Sequence, residues 1–270
     1  MNLLETTDLT VSFGGLHAND SVNLAVPEGS FVGLIGPNGA GKTTFIDAIT
    51  GFVPLADGHV SFTGERIDGL APHKRVRMGL SRTFQSLELF EDLTVGDNLL
   101  AAADRPKWWS FLADVVAPGR STGVDEQVAW ALEVVGLSDS ADRLPSDLSH
   151  GQRKLVGVAR ALAGRPRLVL LDEPAAGLDT AESQNLGHRL RALLDHDITV
   201  FLIDHDMGLV LNVCDYIYVL DFGQIIAAGT PSEIRTDAAV IAAYLGEQAG
   251  EAQAASGKHM GEIAEDLHHE

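Results

Sequence analysis

A continuous apolar run, Phe31-Val32-Gly33-Leu34-Ile35, leads straight into Gly36-Pro37-Asn38-Gly39-Ala40-Gly41-Lys42-Thr43-Thr44. The run has the pattern of a strand buried on both faces. The spacing Gly36-x-x-x-x-Gly41-Lys42-Thr43 is that of a phosphate-binding loop between a strand and a helix. Glycines let backbone N–H groups converge on phosphate oxygens, and a helix beginning near Thr43 adds its partial positive charge. Lys42 is placed to reach β- and γ-phosphates, and the Thr43 hydroxyl to ligate Mg²⁺.

The flanking sequence keeps to strands and helices. Leu9, Val11 and Phe13, then Val22, Leu24 and Val26, alternate as in β structure, with a turn at Pro27-Glu28-Gly29. Residues 91 to about 147 read as mainly helical, interrupted at Pro106 and at Pro118-Gly119. A turn at Ser149-His150-Gly151 then opens a helix through Ala163. A strand over Leu168–Leu171, a helix over Gln184–Leu194 and a strand over Thr199–Ile203 follow. This alternation predicts an α/β sheet. Thr230-Pro231-Ser232-Glu233 supplies a cap, a first-position proline and a glutamate three after the cap, which start a helix. Val240–Leu245 makes a last short helix ended by Gly246, and 247–270, rich in Ala, Gly and Glu, predicts a disordered acidic tail.

With 270 residues, 45% of them apolar, the chain can bury the core of one large domain. Cys214 is the only cysteine, so no internal disulfide forms. Met1-Asn2-Leu3-Leu4-Glu5 has no basic stretch followed by an apolar one, so no secretory signal is expected. No run of about 18 apolar residues, the length that crosses a bilayer, is present. The formal charge of −19 argues against nucleic acid, which needs a basic surface. Its plainer consequence is solubility.

Other residues have a plain reading beside a chemical one. Asp172 and Glu173 end an apolar strand, at the sheet edge where ligands bind in open α/β folds; a solvated pair before Pro174 is the alternative. His205 follows another apolar strand and is expected along the same edge, although a lone histidine is usually structural. Ser149-His150-Gly151 offers phosphate-binding donors, or an ordinary helix cap. Lys74, Arg75, Arg77 and Arg82 form the only basic run, by default a solvated helix face, otherwise a contact with lipid headgroups or a partner. Trp108, Trp109 and Phe111 read as core packing ahead of a partner-facing patch.

In this order and spacing, Gly36–Thr44, Leu148-Ser149-His150-Gly151-Gln152, Leu168–Glu173 and Ile203-Asp204-His205 resemble the nucleotide-binding subunit of an ATP-binding cassette (ABC) transporter, over roughly residues 4–246. The resemblance implies an α/β P-loop NTPase fold with a RecA-like core (1–90 and 155–246), an antiparallel β subdomain and an inserted helical subdomain (about 91–154). It implies ATP hydrolysis with ATP and Mg²⁺ as cofactors. Gly36, Pro37, Asn38, Gly39, Ala40, Gly41, Lys42, Thr43 and Thr44 would surround the phosphates. Asp172, Thr43 and Gln85 would hold Mg²⁺, with Gln85 also sensing the membrane subunit. Glu173 would polarise the attacking water, and His205 would contact the γ-phosphate. Phe13 matches the aromatic that stacks on adenine, its rival reading being a strand-end core residue. Ser149, Gly151 and Gln152 would grip the ATP of a partner cassette, and Asp179 matches the loop that communicates across that interface. Glycine is usual where His150 stands. A side chain there clashes if the backbone needs positive φ, or can add a phosphate contact if it does not.

Ser81-Arg82-Thr83-Phe84-Gln85, Leu89–Val95, Asp97-Asn98-Leu99-Leu100 and Ala243-Tyr244-Leu245-Gly246 are similar to the branched-chain (hydrophobic) amino-acid importer group, with the urea-importer ATPase as a close relative. The partners implied are two membrane-spanning permease subunits, a second ATPase subunit, identical or related, and indirectly a substrate-binding protein, with no nucleic acid. The implied location is peripheral, on the cytoplasmic side of the cell membrane. The alternatives are the ATPase of a urea importer or an exporter, a soluble ABC ATPase acting in assembly, and a scaffold that binds ATP without hydrolysing it.

Overall fold

The computed structural model describes residues 1–83, 89–103 and 122–244. Gln85, the Trp108–Phe111 cluster, the interruptions at Pro106 and Pro118-Gly119, Leu245-Gly246 and the tail 247–270 lie outside the described residues.

An antiparallel sheet has the order β2-β1-β4-β5, from β1 (Asn2–Phe13), β2 (Leu16–Pro27), β4 (Asp57–Phe62) and β5 (Glu65–Arg66). Leu9, Val11, Val22, Leu24 and Val26 are buried, as the alternation predicts; Phe13 at the strand end is 54% exposed and is not a core residue. The second sheet has the order β10-β9-β3-β8-β7-β6. Its strands are β3 (Phe31–Ile35), β6 (Leu80–Arg82), β7 (Leu168–Asp172), β8 (Thr199–Ile203), β9 (Tyr216–Asp221) and β10 (Gln224–Gly229). All are parallel except β10, which pairs antiparallel with β9.

Every residue of β3, β7 and β8 is buried because alternate side chains feed two cores. Phe31, Ile35, Val169, Leu171, Val200 and Leu202 join Val95, Leu99, Ala131, Leu132, Val156 and Leu162 from a helical layer. Val32, Leu34, Leu168, Leu170, Phe201 and Ile203 join the antiparallel sheet and Phe45, Ile46 and Ile49 of the helix Lys42–Thr50. The continuous apolar runs are thus strands with a core on each side.

The helical layer contains Val95–Ala103, Thr122–Val134 and His150–Leu162, with single turns at Ser138–Ser140 and Pro145–Asp147. The helix expected from Gln184 starts earlier, at Thr180. Asp179 caps it, accepting the Glu182 N–H at 2.8 Å while the Glu182 carboxylate accepts the Asp179 N–H at 3.3 Å. It ends at Arg191, and a 3₁₀ turn, Ala192–His196, follows. Pro231–Ile234 forms the short helix that Thr230 introduces, and residues 238–244 form another.

Lys74 and Arg77 are exposed, but the expectation of a solvated basic face fails at Arg75 and Arg82. Arg75 is 3% exposed, and its guanidinium donates to the carbonyls of Ala48 (2.9 Å), Ile49 (2.8 Å), Asp68 (3.0 Å) and Leu70 (2.9 Å). Two of these belong to the last turn of the Lys42–Thr50 helix, whose carbonyls have no further turn to bond to; that of Ala48 also accepts the N–H of the capping Gly51 at 3.2 Å.

Cys214 lies under β3, where a Cβ on Gly33 would come within 2.9 Å of its Sγ. Burial pushes its thiol pKa up, and the reactive thiolate is scarce. A thiol reagent at mildly alkaline pH is therefore expected to label the folded protein orders of magnitude more slowly than the chain in guanidinium chloride. Equal rates would show the site to be open.

Candidate nucleotide-binding site

Strand register brings three loops together. Leu34 of β3 pairs with Ile203 of β8, and Ile203 with Asp172 of β7. Because these strands are parallel, Gly36–Lys42, Glu173 and His205 leave the sheet at one edge, where ligands bind in open α/β folds.

The loop after β3 requires glycine at two positions. Gly36 (φ +155°) would place a Cβ 2.0 Å from the Leu220 carbonyl oxygen, and Gly41 (φ +103°) one 2.3 Å from that of Ala18. Lys42 is buried, and its Nζ donates to the carbonyls of Gly36 (2.6 Å) and Pro37 (2.9 Å), so the loop curls around the ammonium. Asn38 to Thr44 line a cavity of about 340 Å³ together with Glu173, His17, Ala18, Phe222 and Gly223. Phe13 stands outside that lining.

Sequence reading missed His17, Ala18, Phe222 and Gly223, for no local pattern marks them. Long-range pairing delivers them: Asn19 Nδ2 donates to the Gly41 carbonyl at 3.2 Å, and the Gly223 N–H to that of Ala40 at 2.9 Å.

Glu173 adopts φ +47°, a left-handed conformation that costs a residue of its size of order 1–3 kcal/mol. Its N–H donates to the Ile203 carbonyl at 2.7 Å, and its carboxylate lies 3.6 Å from His205 Nδ1. The same nitrogen is 3.7 Å from the carboxylate of Asp204, which is fully buried and accepts the N–H groups of Asp206 (2.9 Å) and Ala175 (3.4 Å). Burial pushes the Asp204 carboxyl pKa up. Lys154, on the helix that Ser149 opens, is 9% exposed. Burial draws its ammonium pKa down while the nearby Asp204 and Glu173 carboxylates oppose that, so a cation from the helical layer stands by this cluster.

Asp172 is also buried. Desolvation pushes its carboxyl pKa up, against the pull of Arg82, whose Nη2 donates to it at 2.8 Å. The Asp172 N–H donates to Thr83 Oγ1 at 3.3 Å.

Ser149 caps its helix: its Oγ accepts the Gln152 N–H at 3.3 Å, and Gln152 Oε1 accepts the Ser149 N–H at 3.0 Å. His150 is the first helical residue and needs no positive φ, so the steric objection to a side chain does not arise. Its Nε2 faces Gly177, where a Cβ would come within 3.3 Å. A Cβ on Gly151 would meet nothing within 4 Å, and the exposed helix start is open to an approaching group. Ser149 and Asp179 are thus caps within the chain, each with an exposed side chain.

A parallel sheet with a glycine loop at a helix start, and two carboxylates and a histidine at the same edge, beside an antiparallel sheet and a helical layer, defines an ATP-binding cassette. The profile of the family described as "ABC transporter" matches residues 19–176, and that of the "Branched-chain amino acid ATP-binding cassette transporter" family matches 224–250. The chain belongs to the ABC transporter family, as an ATP-binding, ATP-hydrolysing cassette.

The high-affinity branched-chain amino acid transport ATP-binding protein BraF of Pseudomonas aeruginosa is 43% identical over 250 residues, spanning 91% of this chain and 98% of that protein. The corresponding protein LivG of Escherichia coli K12 is 40% identical over 91% of this chain and 98% of its own length. The lipopolysaccharide export system ATP-binding protein LptB of Haemophilus influenzae is 35% identical over 92% and 99%. Among solved structures, MJ1267, an ATP-binding cassette of an ABC transporter in its ADP conformation, matches with a TM-score of 0.81 at 33% identity, covering 92% of this chain and all (100%) of that one. No helix among the described residues is long and apolar enough to cross a membrane.

Proposed function

We propose that this cassette powers a bacterial importer of branched-chain or other hydrophobic amino acids. It sits at the cytoplasmic face of the membrane on two membrane-spanning permease subunits, beside a second cassette, identical or related; a substrate-binding protein participates only indirectly. The observation behind this reading is the 43% identity to BraF over 91% of the chain, joined by the second family profile at 224–250.

The residues suit the chemistry. Lys42 and the amides of the glycine loop hold the phosphates. The Thr43 hydroxyl and Asp172 carboxylate are hard oxygen donors of the kind Mg²⁺ takes. Mg²⁺ is usually held by one or two protein oxygens together with substrate phosphates and water, and on this reading the Gln85 side chain would join them. When bound, the ion neutralises charge on the transferring phosphoryl group. Glu173 orients the attacking water and takes its proton, and His205 contacts the terminal phosphate. Phe13 offers an exposed aromatic face to adenine. Ser149, Gly151 and Gln152 present an open helix start to the ATP held by the second cassette, with Asp179 at the same interface.

A groove of about 410 Å³, walled by Phe52, Val76, Leu80, Leu89 and Arg160, supports contact with the permease, because Phe52 and Val76 remain 57% and 48% exposed. Tagged Glu173→Gln protein, pulled down from native membranes with ATP present, tests the proposal. Two integral membrane proteins and a second cassette are expected, together with a binding protein that takes branched-chain amino acids. Soluble partners alone, with the membrane proteins intact, would favour an assembly ATPase; permeases that export would reverse the direction.

A further inference from the structure

We infer that Arg82 is a positioning residue that sets the Asp172 carboxylate for metal binding by tying it to the phosphate-loop helix. Arg82 ends β6, and its side chain is 11% exposed. One nitrogen, Nη2, donates to Asp172 Oδ2 at 2.8 Å; the other, Nη1, donates to Asp47 Oδ1 at 2.5 Å. Asp47 lies on the Lys42–Thr50 helix four residues after Thr43, on the same helical face. The guanidinium therefore bridges the two elements that bear the proposed metal-holding oxygens, Thr43 and Asp172.

The chemistry suits the place. A planar fork binds two carboxylates in fixed directions, which a lysine ammonium cannot do. Engaging Oδ2 fixes the rotation of the Asp172 carboxylate and so the direction of Oδ1. Thr83, the next residue, holds the Asp172 backbone through its hydroxyl at 3.3 Å. Consecutive residues of one strand end thus fix both the main chain and the side chain of Asp172. Partners that orient a ligating carboxylate typically change metal affinity about 10- to 100-fold when removed.

The inference rests on the reading of Asp172 as a metal-holding residue, and the test separates the two. Binding of a fluorescent ATP analogue to the purified full-length chain is titrated with MgCl₂, and repeated in EDTA. For Arg82→Gln the Mg²⁺ midpoint is expected to rise about tenfold, with binding in EDTA unchanged; Arg82→Lys should recover only part of the shift. A folded Arg82→Gln protein with the parent's midpoint overturns the inference, and so does full recovery with lysine. Asp47→Asn is nearly isosteric at a 30% exposed side chain, and decides the matter if the arginine variants do not fold. It should move the midpoint the same way by a smaller factor, and no movement overturns the inference. Asp172→Asn is the control. If it leaves the midpoint in place, the reading of Asp172 fails and takes the inference with it. If it shifts the midpoint while Arg82→Gln does not, only the inference fails.

Discussion

On the proposed role of Glu173, replacing it with glutamine is expected to lower ATP turnover by about 10²- to 10⁴-fold and to leave ATP binding in place. The amide keeps the size and one acceptor of the carboxylate but cannot take a proton. The backbone stands at φ +47°, and its N–H bond to the Ile203 carbonyl does not involve the side chain, so the variant should fold as the parent does. His205 Nδ1, 3.6 Å away, keeps a polar neighbour. Phosphate release under saturating ATP, beside a binding isotherm for the nucleotide, measures both halves of the expectation. Turnover near the parent rate would remove Glu173 from the chemistry and direct attention to Asp204, Lys154 or His205. Loss of binding along with turnover would make the residue part of the nucleotide's grip instead.

Arg75→Met is expected to cost about 4 kcal/mol of folding stability, and to lower Tm by roughly 10 °C. Methionine fills much of the arginine's apolar volume, so the loss is mainly polar. Three carbonyls, at Ile49, Asp68 and Leu70, lose the donor they have in Arg75, while that of Ala48 keeps the Gly51 N–H at 3.2 Å; each acceptor left unsatisfied costs about 1–3 kcal/mol, with partial relief where water enters. Chemical denaturation of the purified chain reads the change. A denaturant midpoint equal to the parent's would mean that these carbonyls find other donors. Weakened ATP binding is a secondary expectation, because the affected helix begins at Lys42.

These cases also separate what the sequence discloses from what it hides. The phosphate loop, the acidic strand end and the histidine were legible because each sits beside its own strand. Strand order then converts linear neighbours into one edge through the Leu34–Ile203–Asp172 row. The long apolar runs were equally plain, since burial on both faces leaves no alternation to misread. Arg75 and Arg82 were not legible: a basic run looks the same whether its charges face water or distant partners, and Asp172 is 90 residues from Arg82. His17 and Phe222 reach the cavity only through pairing of β2 and the β9–β10 turn with the loop. The helix after β7 begins four residues before Gln184, at Thr180, because Asp179 and Glu182 form a capping box ahead of the first apolar position.

The left-handed backbone at Glu173 has a consequence for how this position responds to selection. Glycine would relax that conformation, and a screen for heat resistance alone would favour it there. On the proposed role of Glu173, a screen for growth on the transported nutrient would reject the same change. Position 173 is therefore one where durability and work are opposed in a single codon, and libraries sorted only for robustness would drift toward well-folded, silent cassettes.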